Sequence, residues 1–169
     1  MANPDRERLR EFFSGPAVEV PDRWSKLWDA GNFLPFDRGQ PNPALIDVLT
    51  DRRDLIGDCF MHPEQNEGRV RKKALVPGCG RGYDVLLLAS FGYDAYGLEI
   101  SHTAVERCKE EQEMNGYKYP IRDEAIGAGS VNFIKGDFFS GEHEWIGASG
   151  RFESFELIYD YTVQQCCRR

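Results

Sequence analysis

The stretch KKALVPGCGRGYDVLLLASFGYDAYGLEIS, running from Lys72 to Ser101, decides the fold. ALV is a short apolar run of strand type, and Gly78, Gly80 and Gly82 turn the chain out of it. YDVLLLASF reads as a helix ended by Gly92, and AYGLEI as the next strand. Ser101 then caps a second helix through VERCKEEQEMN, closed by Gly116. Such strand–helix alternation builds a parallel sheet with helices on its faces. Further on, a polar loop from Tyr117 to Gly129 leads to a third strand, VNFIKG, which runs into GDFF; FELIYDY reads as a fourth.

Upstream the texture differs. Residues 5–13 read as a short charged helix whose Leu9, Phe12 and Phe13 form one packing stripe. In WSKLW, Trp24 and Trp28 stand four apart, on one helical face. GNFLPFDRGQPNP is an irregular loop by its Gly, Pro, Asn and Asp content. Asn42 followed by Pro43 reads as an N-cap with proline in the first helical position, opening the helix PALIDVLTDRR with Leu45, Ile46 and Leu49 on one face. From Gly57 to Lys72 the chain is polar and loop-like.

Composition narrows the function classes. The 169 residues fit one domain, and 41% hydrophobic with 29% charged residues is ordinary for a soluble globular chain. A net charge of −7 without a basic stripe argues against a nucleic-acid partner. No apolar run approaches the roughly 20 residues of a membrane span, and the charged N-terminus has no apolar core of a secretory signal, so a cytoplasmic protein without a membrane partner is expected. The five cysteines (Cys59, Cys79, Cys108, Cys166 and Cys167) lack the spacing of a secreted disulfide framework. Cys59 and His62 make a lone CxxH, too few ligands for a closed zinc site. Cys79 sits in the glycine turn for its small size, with a reactive thiol left open because Arg81 could lower its pKa.

The glycine turn carries the first functional expectation. VPGCGRGYD sets Gly78, Gly80 and Gly82 as G-x-G-x-G between a strand and a helix, where glycine accepts positive φ and lets a ligand approach the backbone. Free N–H groups at the helix start suit a carboxylate or phosphate. Glu99 ends the next strand, near the spacing at which an acid reaches ribose hydroxyls. The dinucleotide pattern G-x-G-x-x-G needs glycine at 83, where Tyr83 stands, which disfavours a nicotinamide cofactor. A methionine-type tail needs no pyrophosphate cradle. At the end of the third strand Asp137 can accept from an adenine amine and Phe138 can pack on a purine. Alone, that pair reads better as a turn aspartate beside core phenylalanines; following the glycine turn and Glu99, at the third strand in order, it reads as a ligand site.

These segments, with WSKLWDAGNFLPFDRGQPNPAL, VNFIKGDFF and FELIYDYT, resemble the thiopurine S-methyltransferase-like family, closest to its fungal and plant branch of thiol and halide methyltransferases. The resemblance covers Trp24 to Thr162. It implies an α/β, Rossmann-like class I fold that binds S-adenosyl-L-methionine on a mostly parallel sheet and transfers its methyl group to a small thiol or halide. Trp24, Trp28 and Phe36 resemble the N-terminal aromatics that close over the cofactor, although spacing alone would make the tryptophans a hydrophobic staple. Gly78, with Gly80 beside it, resembles the glycine at the methionine end, Glu99 the ribose acid, and Asp137 with Phe138 the adenine pair. Tyr161, after Asp160, resembles a residue beside the sulfonium and acceptor; these two are the candidate catalytic residues, and neither is assigned as a general base. No metal is implied, and His62, His102 and His143 are scattered.

By the same resemblance residues 1–42 form a helical, aromatic lid segment, 43–162 the cofactor domain with the first four strands, and 163–169 an atypical tail. Family members continue past a DYTF-like motif, whereas here VQQCCRR follows DYT and reads as out-of-frame or retained-intron translation; Arg168 and Arg169 exclude a prenylation box. An incomplete sheet would leave FELIY as an open edge that favours self-association. Acceptor positions would be mostly missing and turnover weak or absent, so the rival expectation is a non-catalytic fragment that still binds the cofactor.

Overall fold

The computed structural model describes residues 4–61, 68–140 and 154–161. His62, His143, Cys166, Cys167 and the tail from Thr162 lie outside them. At the centre runs β1 (Lys73–Pro77), with Ala74, Leu75 and Val76 buried. The glycine turn leads into α5 (Tyr83–Ser90), which is buried from Val85 through Ser90. A helix apolar on every side must be enclosed on every side. The next strand, β2 (Asp94–Glu99), pairs in parallel with β1 in the register Lys73–Asp94 to Pro77–Leu98. Then α6 (His102–Asn115) crosses over, and β3 (Val131–Lys135) pairs in parallel with β2. A last short strand, β4 (Leu157–Ile158), pairs in parallel with the other side of β1, giving the order β3-β2-β1-β4. This is the parallel sheet with helices expected from the alternation, in the Rossmann-like α/β arrangement that the resemblance implies.

Four helices precede the sheet: α1 (Pro4–Phe12), α2 (Val20–Ala30), α3 (Pro43–Asp51) and the single turn α4 (Arg53–Ile56). Leu45 and Leu49 of α3 join Val85, Leu87, Leu88 and Phe91 in the main core. Full burial of each such side chain is worth about 1.5–3 kcal/mol. Both expected caps form: the Asn42 side chain accepts from Ala44 N–H at 3.0 Å, and Ser101 Oγ from Ala104 N–H at 3.2 Å.

Three local expectations change. No residue of α1 is buried, because six of its nine side chains are charged; Phe13, just beyond it, instead meets the Trp24 ring at 4.4 Å. Gly116 closes α6 as expected, its N–H donating to the Gln112 carbonyl, but the cap is right-handed rather than left-handed, with φ −53°, and a 3-10 turn follows at Gly116–Lys118. FELIYDY shortens to two strand residues, with the Glu156 side chain accepting from Lys73 N–H at 2.8 Å at the entry to the ladder. Among the described residues no helix is long and apolar enough to cross a membrane, and no cluster of three or more possible metal ligands occurs.

Candidate functional site

All four strands run in parallel, so their C-terminal ends share one edge of the sheet. Gly78 follows β1, Glu99 ends β2, Gly136 and Asp137 follow β3, and Asp160 and Tyr161 follow β4. The strand order reverses between β1 and β4, and open α/β sheets bind ligands at that crevice.

Glu99 is the core of the arrangement. It is only 6% exposed, yet its carboxylate is well supplied with donors. Ile100 N–H donates to Oε1 over 2.8 Å, Ser101 N–H to Oε1 over 3.3 Å, and Gly80 N–H to Oε2 over 3.1 Å. Burial pushes its pKa up, and the three backbone donors pull it partly back. The second and first strand tips are therefore joined through one acid.

Gly80 takes φ +59°, and a Cβ there would lie 3.6 Å from the Trp28 indole. The glycine turn thus sits bare beneath an aromatic wall. Trp28 is buried, and Phe36 meets both indoles edge-on, with centroids 5.4 Å from Trp24 and 5.7 Å from Trp28. The tryptophans are consequently more than a staple within their own helix. Gly82, the third glycine, is used for packing: at φ +78° a Cβ would approach Phe133 of β3 to 2.6 Å.

Gly136 N–H donates to the Glu99 carbonyl at 3.0 Å, which brings the third strand end to the same place. Asp137 Oδ1 accepts from Phe139 N–H at 2.8 Å, and the Phe138 and Phe139 rings stand edge to face at 5.2 Å. Tyr161 is half exposed, with the Arg38 guanidinium 5.2 Å from its ring centre. Through Arg38, Tyr161 meets the loop that carries Phe36.

Sequence reasoning missed four residues. Asp37 accepts from Tyr83 Oη at 3.0 Å and from Gly39 N–H at 3.1 Å through Oδ1, and pairs with Arg81 through Oδ2. Asp84, at the start of α5, accepts from Asn42 N–H at 2.8 Å, and burial raises its pKa. Partners 42 to 46 residues apart leave no local signal.

Of the two readings of Cys79, small size rather than a reactive thiol fits the structure. Arg81 is engaged with Asp37, while the Cys79 thiol lies 3.9 Å from Cys108 Sγ. Contact with Cys108, then burial, then the Glu99 charge push its pKa well up. Its small size matters, and Gly97 leaves room for it, since a Cβ at 97 would lie 2.7 Å from the sulfur.

Taken together, the fold and its ligand edge define a Rossmann-like α/β domain with a bare glycine turn, a buried acid and an aromatic wall at one sheet end. The chain belongs to the thiopurine S-methyltransferase family, whose model, described as Thiopurine S-methyltransferase (TPMT), matches residues 19–165. Among curated relatives, "Probable thiol methyltransferase 2" of Arabidopsis thaliana is 35% identical over 82% of this chain and 46% of that protein. "Thiocyanate methyltransferase 1" of Brassica oleracea is 29% identical, covering 93% and 54% respectively. "Thiopurine S-methyltransferase" of Shewanella sediminis (strain HAW-EB3) is 27% identical over 83% and 56%. The chain spans about half the length of these relatives. A solved structure, "Conversion of a Disulfide Bond into a Thioacetal Group during Echinomycin Biosynthesis", shares the fold with a TM-score of 0.51 at 24% identity, over 83% of this chain and 48% of that one.

Proposed function

We propose that this chain binds S-adenosyl-L-methionine at the C-terminal ends of β1, β2 and β3, and that the whole protein uses it to methylate a small thiol, with a halide as the finer alternative. The observation that carries this reading is the buried Glu99 carboxylate, held between Gly80 N–H and the Ile100–Ser101 N–H pair at the tip of β2. A buried acid is costly unless donors surround it, and adenosyl ribose hydroxyls are such donors. The bare turn at Gly80 supports the same ligand, because a side chain there would fill the space under Trp28.

When bound, the cofactor supplies a methyl group on a cationic sulfur. The chain's own residues then divide four tasks. Glu99 holds the ribose, and Asp137 with Phe138 addresses the adenine. Trp24, Trp28 and Phe36, in the segment up to residue 42, exclude water and present aromatic faces to a cation, a contact worth about 0.5–2 kcal/mol. Tyr161 and Asp160 border the acceptor side, where alignment and desolvation of an already nucleophilic thiolate matter more than proton removal. The names of the thiol and thiocyanate methyltransferases support a small, soft nucleophile as acceptor. We place this chemistry in the cytoplasm.

Calorimetry with S-adenosylhomocysteine tests the binding half, and methyl transfer from labelled cofactor to a thiol and halide panel tests the rest. Absence of both heat and competition at any accessible concentration would sink the cofactor reading. Transfer to halide but to no thiol would reverse the order of acceptors.

A further inference from the structure

The loop at 31–42 leaves α2 through Gly31, which caps the helix in a left-handed conformation at φ +63°. Nothing in its composition predicts a fixed shape, yet one carboxylate collects three donors from it and from the glycine turn. Asp37 Oδ1 takes Gly39 N–H and Tyr83 Oη, and Oδ2 takes Arg81 Nε. The Asp37 and Arg81 side chains keep only 16% and 30% of their exposure, so the pair is largely shielded from solvent. Five residues on, Asn42 N–H is held by Asp84. Arg81, Tyr83 and Asp84 all belong to the turn and first residues of α5, so one short segment grips the loop at two points. Between α2 and these grips lies Phe36, packed on both Trp24 and Trp28, and Trp28 faces Gly80.

We propose that Asp37 is a positioning residue for cofactor binding: by joining Arg81 and Tyr83 it docks the 31–42 loop on the glycine turn and so sets Phe36 and Trp28 over the place where the adenosyl ligand sits. This rests on the cofactor reading above and adds to it the residue that holds the aromatic wall in place. Asp37 touches the turn and the loop, so it acts through them. It also commits the Arg81 guanidinium, the cation nearest the glycines in sequence, to the loop.

The test uses the full chain in a Trp145→Phe background, so that emission comes from Trp24 and Trp28 alone. Acrylamide quenching is measured on the ligand-free chain, and S-adenosylhomocysteine affinity by calorimetry, both well below the melting temperature. Asp37→Ala and Arg81→Ala should each raise the quenching constant at least twofold and weaken affinity about tenfold. The double variant should be no weaker than the worse single one, because the two side chains form one contact. Tyr83→Phe, which removes only the hydroxyl, should give a smaller loss. Quenching unchanged in both single variants overturns the docking role; quenching raised with affinity intact overturns the positioning role. A parent chain that binds no S-adenosylhomocysteine overturns the cofactor reading instead, and the quenching arm then still decides whether Asp37 docks the loop.

Discussion

Glutamine in place of Glu99 separates what this carboxylate costs the fold from what it gives a ligand. The substitution keeps the shape, and its amide oxygen can stay on the side of the Ile100 and Ser101 donors. Its NH2 group then faces Gly80 N–H, donor against donor, and one buried unpaired N–H costs about 1–3 kcal/mol. Relief of the buried charge opposes that cost, since burial already pushes the Glu99 pKa up. The net change in folding stability should stay below about 1.5 kcal/mol, within about 5 °C of melting temperature for a chain of this size. Affinity has no such compensation. Hydrogen bonds to a charged acceptor are worth about 1.5–3 kcal/mol and neutral ones about half that. Two ribose hydroxyls meeting a neutral amide should therefore bind more weakly by about 1.5–3 kcal/mol, roughly tenfold to 150-fold.

The pH dependence gives an independent sign. A carboxyl whose folded pKa is raised contributes stability below its ordinary value of 4.5 and loses it as pH rises through the folded value. The ligand-free chain should lose that contribution upward from about pH 4.5, and Glu99→Gln should not. Ligand hydroxyls favour the charged form, so binding should expel a proton from Glu99 and affinity should climb with pH until the free acid is fully ionised. Calorimetry with S-adenosylhomocysteine between pH 5 and 8, in two buffers of different ionisation enthalpy, reads both quantities. A Glu99→Gln chain that binds within twofold of the parent at pH 7, or that follows the same pH curve, refutes the role given to the acid.

Three other outcomes follow from the geometry. Gly82→Ala should destabilise by about 2–4 kcal/mol in a thermal melt, because left-handed strain adds to a 2.6 Å clash with Phe133, whereas Gly80→Ala, whose Cβ meets only an ordinary 3.6 Å contact, should cost about 1 kcal/mol and show its main effect on ligand affinity. Cys79 should resist alkylation by iodoacetamide at pH 8 in the folded chain and react only after denaturation, as read by peptide mass spectrometry; rapid native labelling would contradict the raised pKa. Ser101→Ala should lower stability by about 1 kcal/mol through loss of the cap at Ala104 N–H, measured by denaturant titration.

What the sequence made legible was whatever its chemistry expresses locally. The run from Lys73 to Glu99 shows each transition by neighbouring residues: an apolar strand, glycines at its end, then an apolar helix and the next strand. Asn42 and Ser101 were readable as caps because capping joins residues two or three apart. Glu99 was readable because strand length fixes where the tip of β2 falls. The Asp37 contacts were not, since 44 residues separate Asp37 from Arg81 and only the folded sheet brings them together. The direction of the Cys79 side chain was equally hidden: it depends on the space at Gly97 and on Cys108, 29 residues downstream. The length of β4 was hidden too, because a ladder with β1 is set by a partner some 83 residues away. Gly116 was readable as the end of α6, but not the hand of its cap: the chain stays right-handed there and runs into a 3-10 turn, as the backbone of a glycine permits either hand.

Among the described residues Glu99 is the only carboxylate in the buried class, in the company of leucines, alanines and two serines. Stability alone would put an apolar side chain at the inner tip of β2, where Leu98 immediately before it is 1% exposed. The chain instead keeps a charge there and surrounds it with three backbone N–H groups, which lower its cost without abolishing it. Local choices that oppose stability are expected where a site needs them. Three features meet at this one: a bare glycine where a Cβ would meet Trp28, an acid held at the next strand tip, and an aromatic wall whose loop Asp37 ties to the glycine turn. Each is individually explicable as packing. Their convergence on the C-terminal edge of one parallel sheet, beside the point where strand order reverses, is what packing alone does not require.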